Sequence, residues 1–334
     1  VTGVLVMAQA EIDRDRDAWL KARRELITGS EIAAVLGLSH WASPFSLYHA
    51  KIDGSGEADD KPAMARGRHL EPVIVDMFGA ACPWLGLLDG GLYVNPARPW
   101  QAATFDRLAY DVQAADAEWF AEEIWSRAEQ LPAGVVSWPV QIKTSATRDG
   151  WGDDGGDGIP LPYRAQALWE METWGADHVT VPALFMTEWR LRIYHLRRDE
   201  AAQTDIDLMV AEAERFLHRV AEGDEPDIDW TPATTSTLRK LHPDLTDEEV
   251  QVPVSLARRY QRARAAEAAA KQRVKQAQNE LRARMGSAAR AVATGPAGEL
   301  VKVCSRSISD SQVRAHVRHD DKLNPGRWGR NQEG

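Results

Sequence analysis

Pro139-Val140-Gln141-Ile142-Lys143-Thr144, then a glycine-rich stretch through Gly158, then Tyr163-Arg164-Ala165-Gln166, is the region of the chain that decides its fold. Val140 and Ile142 alternate with Gln141 and Lys143, the period of a half-buried strand, so the amide and the amine share one face. The helix opening at Tyr163 sets Tyr163 and Gln166 one turn apart and closes at Gly175. A lysine two residues from an oxygen donor suits metal-dependent phosphodiester cleavage. The donor holds Mg²⁺ on the phosphate, and the amine orients or helps deprotonate the attacking water.

Upstream, residues 17–37 read as helical with a break at Ile27-Thr28-Gly29-Ser30, where Ser30 suits an N-cap and Gly37 ends the run. Residues 44–51 form a short helix, and 53–61 a polar loop. Residues 64–78 form another helix, with Pro72 expected in its first turn or at a kink. Strands follow at 91–95 and 102–111. Residues 115–131 form an acidic amphipathic helix that reads as an insertion. Downstream come strands at 178–185 and 190–196, then a helix at 205–220. A linker around 222–226 precedes a long Ala-, Arg- and Lys-rich helix at 255–285 and a short strand at 300–304, with a disordered end from 324. Trp169 and Trp174 read as core residues. Gly155-Gly156-Asp157-Gly158 lacks the lysine of a phosphate loop and reads as a mobile loop beside a cleft.

The 334 residues, 44% of them hydrophobic, suffice for one large core and an appended module. No apolar run reaches the ~20 residues of a membrane span, and the opening lacks the basic start and length of a signal peptide. Two distant cysteines, Cys82 and Cys304, give neither a disulfide framework nor an iron–sulfur ligand set. His40, His49 and His69 have no zinc-ligand spacing. A cytoplasmic protein is expected. The net charge of −10 is unevenly spread: residues 251–334 carry about 17 basic and 7 acidic side chains, leaving the first 250 near −20. A basic tail of this kind fits either a solvated helix or local contact with phosphate.

Five motifs occur together in order: Trp19-Leu20-Lys21-Ala22-Arg23 with Ile27-Thr28-Gly29-Ser30; Arg66-Gly67-Arg68-His69-Leu70-Glu71-Pro72; Phe105-Asp106; Gln141-Ile142-Lys143-Thr144; and Ile159-Pro160 leading to Tyr163 and Gln166. Over roughly residues 15–200 this resembles the YqaJ-type phage recombinases related to phage lambda exonuclease, within the PD-(D/E)XK nuclease superfamily. The resemblance implies an α/β (α+β) fold, a mixed central β-sheet flanked by helices, to which the long helix at 255–285 adds a helical C-terminal extension. Together with the linker read from composition, the resemblance sets a nuclease domain over 1–230, and the basic, Ala- and Arg-rich sequence beyond it reads as a mostly helical extension over 231–334.

It also implies a Mg²⁺-dependent DNA exonuclease, with Mn²⁺ as a substitute, that resects one strand of linear duplex DNA 5′ to 3′. The implied partners are double-stranded DNA ends, a single-strand annealing protein and further copies of the chain in a trimeric ring. By the same resemblance, Asp106 matches the metal-binding aspartate, Lys143 the catalytic lysine and Glu71 a helix carboxylate near the metal. Asp106, Gln141, Glu71 and the main-chain carbonyl of Ile142 form the ligand set. Tyr163 and Gln166 support the site, and Arg23 with Ser30 match the pair that holds the 5′-phosphate.

Three departures stand out. Gln141 occupies a position where Glu is usual, and an amide oxygen binds a hard cation more weakly than a carboxylate. Phe105 precedes the aspartate in place of proline. The 115–131 insertion separates the two halves of the site, which keeps Asp111 as a rival to Asp106. The alternatives to an exonuclease are an endonuclease of the same superfamily and a DNA-end-binding module impaired at Gln141.

Overall fold

The computed structural model describes residues 3–54, 62–112, 135–244, 246–313 and 316–325. The chain divides into two compact units, residues 1–245 and 246–334. The 115–131 segment lies outside the described residues.

In chain order the first unit runs β1 (Val4–Ala8), α1 (Gln9–Arg14), α2 (Arg16–Arg23), β2 (Ile27–Thr28), α3 (Gly29–Val35), α4 (Pro44–Ile52) and α5 (Pro62–Ala81). It continues with β3 (Leu85–Asn95), β4 (Arg98–Asp111), β5 (Ser137–Val140), β6 (Lys143–Ser145), α6 (Leu161–Trp174), β7 (His178–Phe185), β8 (Arg190–Arg197), α7 (Glu200–Glu222) and α8 (Pro232–Leu241). The strands form one mixed sheet in the order β1-β3-β4-β5-β7-β6, with β2 added on β4 and β8 on β7. The β1–β3, β3–β4, β4–β5 and β7–β8 pairs are antiparallel, whereas β5 and β6 both run parallel to β7. This is the mixed α/β architecture expected from the sequence. The division falls after α8, not near 230, because Ser43 at the N-cap of α4 shares a buried hydrogen bond with Thr234 of α8 at 2.7 Å.

The core centres on α6. Ala165, Ala167, Leu168, Trp169, Met171 and Trp174 are all buried, so the helix is enclosed rather than amphipathic. The Trp169 indole N–H donates to the carbonyls of Ile27 (3.2 Å) and Ala102 (2.9 Å), tying α6 to β2 and β4. The Trp174 N–H donates to the Ser137 carbonyl at 3.0 Å. Glu172, held between Arg98 and Arg198, fixes the C-terminal turn of α6 to the start of β4 and the end of β8.

Several local readings change in three dimensions. The N-cap of α3 is Thr28, with Ser30 inside the first turn, because Glu31 reaches back to the Thr28 N–H at 2.9 Å. Pro72 lies within α5, which begins earlier than the apolar pattern indicates. Helix α7 starts at Glu200, capped by Asp199, whose side chain accepts from the Ala202 N–H. The Gly155–Gly158 loop is pinned to β8: Gly155 N–H donates to the Ile193 carbonyl at 2.8 Å, and Asp154 accepts from the Ile193 N–H at 2.9 Å.

The second unit holds α9 (Val254–Met285) and an antiparallel sheet of β9 (Arg290–Thr294), β10 (Leu300–Val313) and β11 (His316–Pro325). The extension is therefore helix plus sheet rather than mostly helix. Strand β11 carries order through Pro325, past the point where disorder is expected. Its pattern escapes a strand reading because Asp320-Asp321-Lys322 offers no apolar alternation. Cys82 and Cys304 are buried free thiols.

Gly90 makes the tight β3–β4 pairing possible. A Cβ there would lie 1.7 Å from the Phe105 carbonyl oxygen, a backbone atom that cannot swing aside. Gly90→Ala is expected to cost about 3 kcal/mol or more, read by urea unfolding. Gly79→Ala in α5, where a Cβ meets nothing within 4 Å, serves as the control and should stabilise by about 0.5 kcal/mol.

Candidate functional site

The site forms where β4 and β5 diverge. Their pairing ends at Arg107 opposite Val140. Gln141 then turns toward β7, its N–H donating to the Thr180 carbonyl at 2.9 Å. The Ile142 N–H, left facing the gap, donates to Asp106 Oδ2 at 2.7 Å. At Lys143 the chain resumes as β6, opposite Ala183. The expected single strand is thus two short strands broken at Gln141-Ile142, and the Asp106 carboxylate satisfies the backbone donor that the break exposes.

Around this break the structure gathers most of the residues picked out from sequence. Lys143 Nζ donates to Gln166 Oε1 at 3.3 Å and lies 5.3 Å from the centre of the Tyr163 ring. Gln166 Nε2 donates to Glu170 Oε1 at 2.8 Å, and Gln141 Nε2 makes a long 3.5 Å contact to the same oxygen. Glu71 stands slightly apart on α5, with Oε1 accepting from Arg107 Nη1 at 2.9 Å. Asp111 is exposed at the far end of β4, five residues from Asp106 and roughly 16 Å along the strand. It is therefore remote from the break and from Lys143.

The carboxyls here resist ionisation. Burial raises the Asp106 pKa against the pull of Lys143 and the Ile142 N–H. Burial, then repulsion from Asp106, raises that of Glu71, with Arg107 opposing. Burial and the nearby Asp106 push Glu170 up to about 8, with Lys143 acting against them.

Among the described residues, no group of three or more His, Cys, Asp and Glu side chains is arranged to hold a metal ion. The donors at the break are mixed: the Asp106 and Glu170 carboxylates with the Gln141 amide. They fit a hard divalent cation, since all are oxygen donors. Two of the oxygens, Gln141 Oε1 and Glu170 Oε2, are buried without a hydrogen-bond partner.

Arg23 and Ser30 form a second cluster. Arg23 Nη2 donates to Ser30 Oγ and Thr28 Oγ1, both at 2.9 Å, and its guanidinium lies 4.4 Å from the Trp19 ring centre. Glu31 pairs with Arg23 at 3.2 Å and with Lys51 at 2.9 Å. Lys51, its side chain 2% exposed, also donates to the carbonyls of Arg23 and Leu26. The three side chains leave one positive charge in excess. Gly29 links the two clusters: an added Cβ would come within 3.2 Å of Glu170 and 3.4 Å of Gln166.

Glu170, Arg107, Glu31 and Lys51 escape a motif-based reading. Glu170 has a local signal, four residues beyond Gln166 on the same helical face. Glu31 has one in the Thr28-x-x-Glu31 capping box. Arg107 and Lys51 have none, because their partners are distant in sequence.

Residues 18–177 match the YqaJ-like viral recombinase domain. The match lies wholly within the first unit, and it marks the chain as a nuclease, a hydrolase that acts on DNA. Among solved structures, the chain is similar to the alkaline exonuclease LHK-Exo from Laribacter hongkongensis, at 18% identity over 62% of this chain and 97% of that one, with a TM-score of 0.41. LHK-Exo in complex with dAMP matches at 18% identity over 62% and 95% of the two chains, with a TM-score of 0.44. A phage-related exonuclease from Haemophilus somnus 129PT matches at 11% identity over 59% and 96%, with a TM-score of 0.40. No curated protein sequence matches the chain.

Burial alone would raise the Glu31 pKa, but Lys51 and Arg23 outweigh it and hold the carboxyl below its ordinary value of 4.5. Its stabilisation is therefore complete above that value and is lost as pH falls through the lower folded value. Glu31→Gln would leave Lys51 buried and uncompensated, costing about 3 kcal/mol at pH 7. In urea unfolding, the gap between wild type and variant should close as the pH drops below 4.5.

Proposed function

We propose that the chain is a Mg²⁺-dependent DNA exonuclease that resects one strand of linear duplex DNA, 5′ to 3′, in phage-type homologous recombination. The observation that carries this reading is the break between β5 and β6, which sets Asp106, Gln141 and Lys143 around one gap in the sheet. Asp106, Gln141 Oε1 and the Ile142 carbonyl would hold the cation, with Glu71 assisting from beside Arg107. Mg²⁺, or Mn²⁺ in its place, supplies Lewis-acid polarisation of the scissile phosphate when bound.

Lys143 orients the attacking water. Gln166 Oε1 and the Tyr163 face restrict its amine to a narrow range of positions. Arg23 and Ser30 receive the terminal 5′-phosphate. The excess positive charge of their cluster favours an anion there, and the link through Gly29 ties the anchor to the cleavage site.

The wider context belongs to the same proposal. Double-stranded DNA ends are the substrate, a single-strand annealing protein is the partner, and a trimeric ring encloses the duplex. Family resemblance supports these three points. The exposed helix α9, with nine basic and two acidic side chains, suits contact with backbone phosphate or with a partner. No described helix is long and apolar enough to cross a membrane, and we place the protein in the cytoplasm.

The test is digestion of a linear duplex carrying one 5′-phosphorylated end, with Mg²⁺ or EDTA. The phosphorylated strand should disappear only with Mg²⁺, and Lys143→Ala should slow its loss by roughly 10²-fold or more. Ser30→Ala should erode the preference for the phosphorylated end. Cutting of closed circular DNA would favour an endonuclease. Retained DNA binding with no cleavage in Mg²⁺ or Mn²⁺ would favour an end-binding module.

A further inference from the structure

We propose that Glu170 on α6 supplies the metal-binding carboxylate that position 141 lacks, so that the acid of this site is carried by the helix and not by the strand. The inference rests on the metal-dependent nuclease reading.

Glu170 is 2% exposed, set between the buried Trp169 and Met171 in the enclosed helix α6. Its contacts are two amide nitrogens, Gln166 Nε2 at 2.8 Å and Gln141 Nε2 at 3.5 Å, and both fall on Oε1. Oε2 is buried with no hydrogen-bond partner, and no cation pairs with the group among the described residues. Burying a carboxylate this way is costly unless something compensates it. A glutamine would fill the same space without that cost. The nearby charges are Asp106, which repels Glu170, and Lys143, which attracts it. A cation between Asp106 and Glu170 would relieve the repulsion and satisfy the orphaned oxygen together.

Gln141 completes the argument. Its Oε1 is also buried and unpartnered, while its Nε2 points at Glu170. The amide thus offers an oxygen donor from the strand and steadies the carboxylate from the helix. Asp106 with Glu170 gives the two negative ligands that a hard divalent cation favours over a single one. The missing side chain at α3 fits too, since Gly29 leaves Glu170 room that any larger residue would take.

The experiment follows Mn²⁺ binding to the full chain by electron paramagnetic resonance, with thermal unfolding measured without metal. Wild type, Glu170→Gln and the exchange variant Gln141→Glu with Glu170→Gln are compared. Glu170→Gln should weaken Mn²⁺ binding by about 10-fold or more, with no fall in melting temperature, and DNA cleavage should drop with it. The exchange variant should regain Mn²⁺ affinity to within about 3-fold of wild type, since it returns the carboxylate to the strand side of the same gap.

Unchanged affinity in Glu170→Gln would overturn the proposal. So would a melting temperature that falls with the affinity, which marks a structural acid, or an exchange variant as weak as the single one. Wild type that binds no Mn²⁺ would instead remove the metal-dependent reading itself, and this inference with it.

Discussion

One hydrogen bond organises the centre of the domain: the Ile142 N–H donating to Asp106 Oδ2. A mixed sheet cannot separate a pair of strands in its interior without stranding backbone groups, and a stranded donor costs about as much as a lost hydrogen bond. Here Gln141 keeps its bond to β7 while Ile142 is released toward β4. An acceptor side chain standing on β4 at that level, that of Asp106, meets it. The same carboxylate that closes the sheet therefore lies in the gap that the separation creates. In the proposed reading, structural need and chemical placement coincide at Asp106.

Helix α6 supplies the opposite wall. Its enclosure by apolar neighbours leaves it little freedom, and Trp169 anchors it to two strands through one indole N–H. Tyr163, Gln166 and Glu170 follow from that position at successive turns of one face. Lys143 is then steadied by side chains that are themselves held in place, an arrangement that keeps its amine to narrow geometry. The Arg23 cluster joins this wall through Gly29, where the absence of a side chain lets α3 abut α6.

The central strands and most flanking helices were legible in the sequence because alternation and caps are local, whereas β1, β2 and α8 were not. Val140 through Lys143 announced a strand, and Gly175 a helix end. Asp106, Lys143 and Gln166 were legible as site candidates through motif order. Other features depend on tertiary contact. The break at Gln141-Ile142 looks like continuous alternation until β7 captures one half. Ser30 looks like the cap until Glu31 selects Thr28. Lys51 is simply the last residue of a short helix in the sequence pattern, yet it is buried against an acid 20 positions away. The strands β10 and β11 elude periodicity, since polar residues fill a hairpin whose order comes from its own pairing.

Glu170 shows most clearly where one-dimensional reading stops. A glutamate between Trp169 and Met171 in an enclosed helix contradicts the pattern around it, and such contradictions concentrate at functional positions. The motif view registers a deficit at Gln141, because it compares one position with one expectation. A cation responds to where oxygen and charge lie in space, and is indifferent to which element carries them. Two unpartnered oxygens, one from a strand break and one from a helix, belong to side chains that touch each other in this domain. A rigid helix is at least as good a carrier for the charged member as a two-residue break in a strand. Exchanging amide and acid between the two positions conserves the local charge count and asks nothing new of the backbone. The departure from the motif and the buried acid thus explain each other.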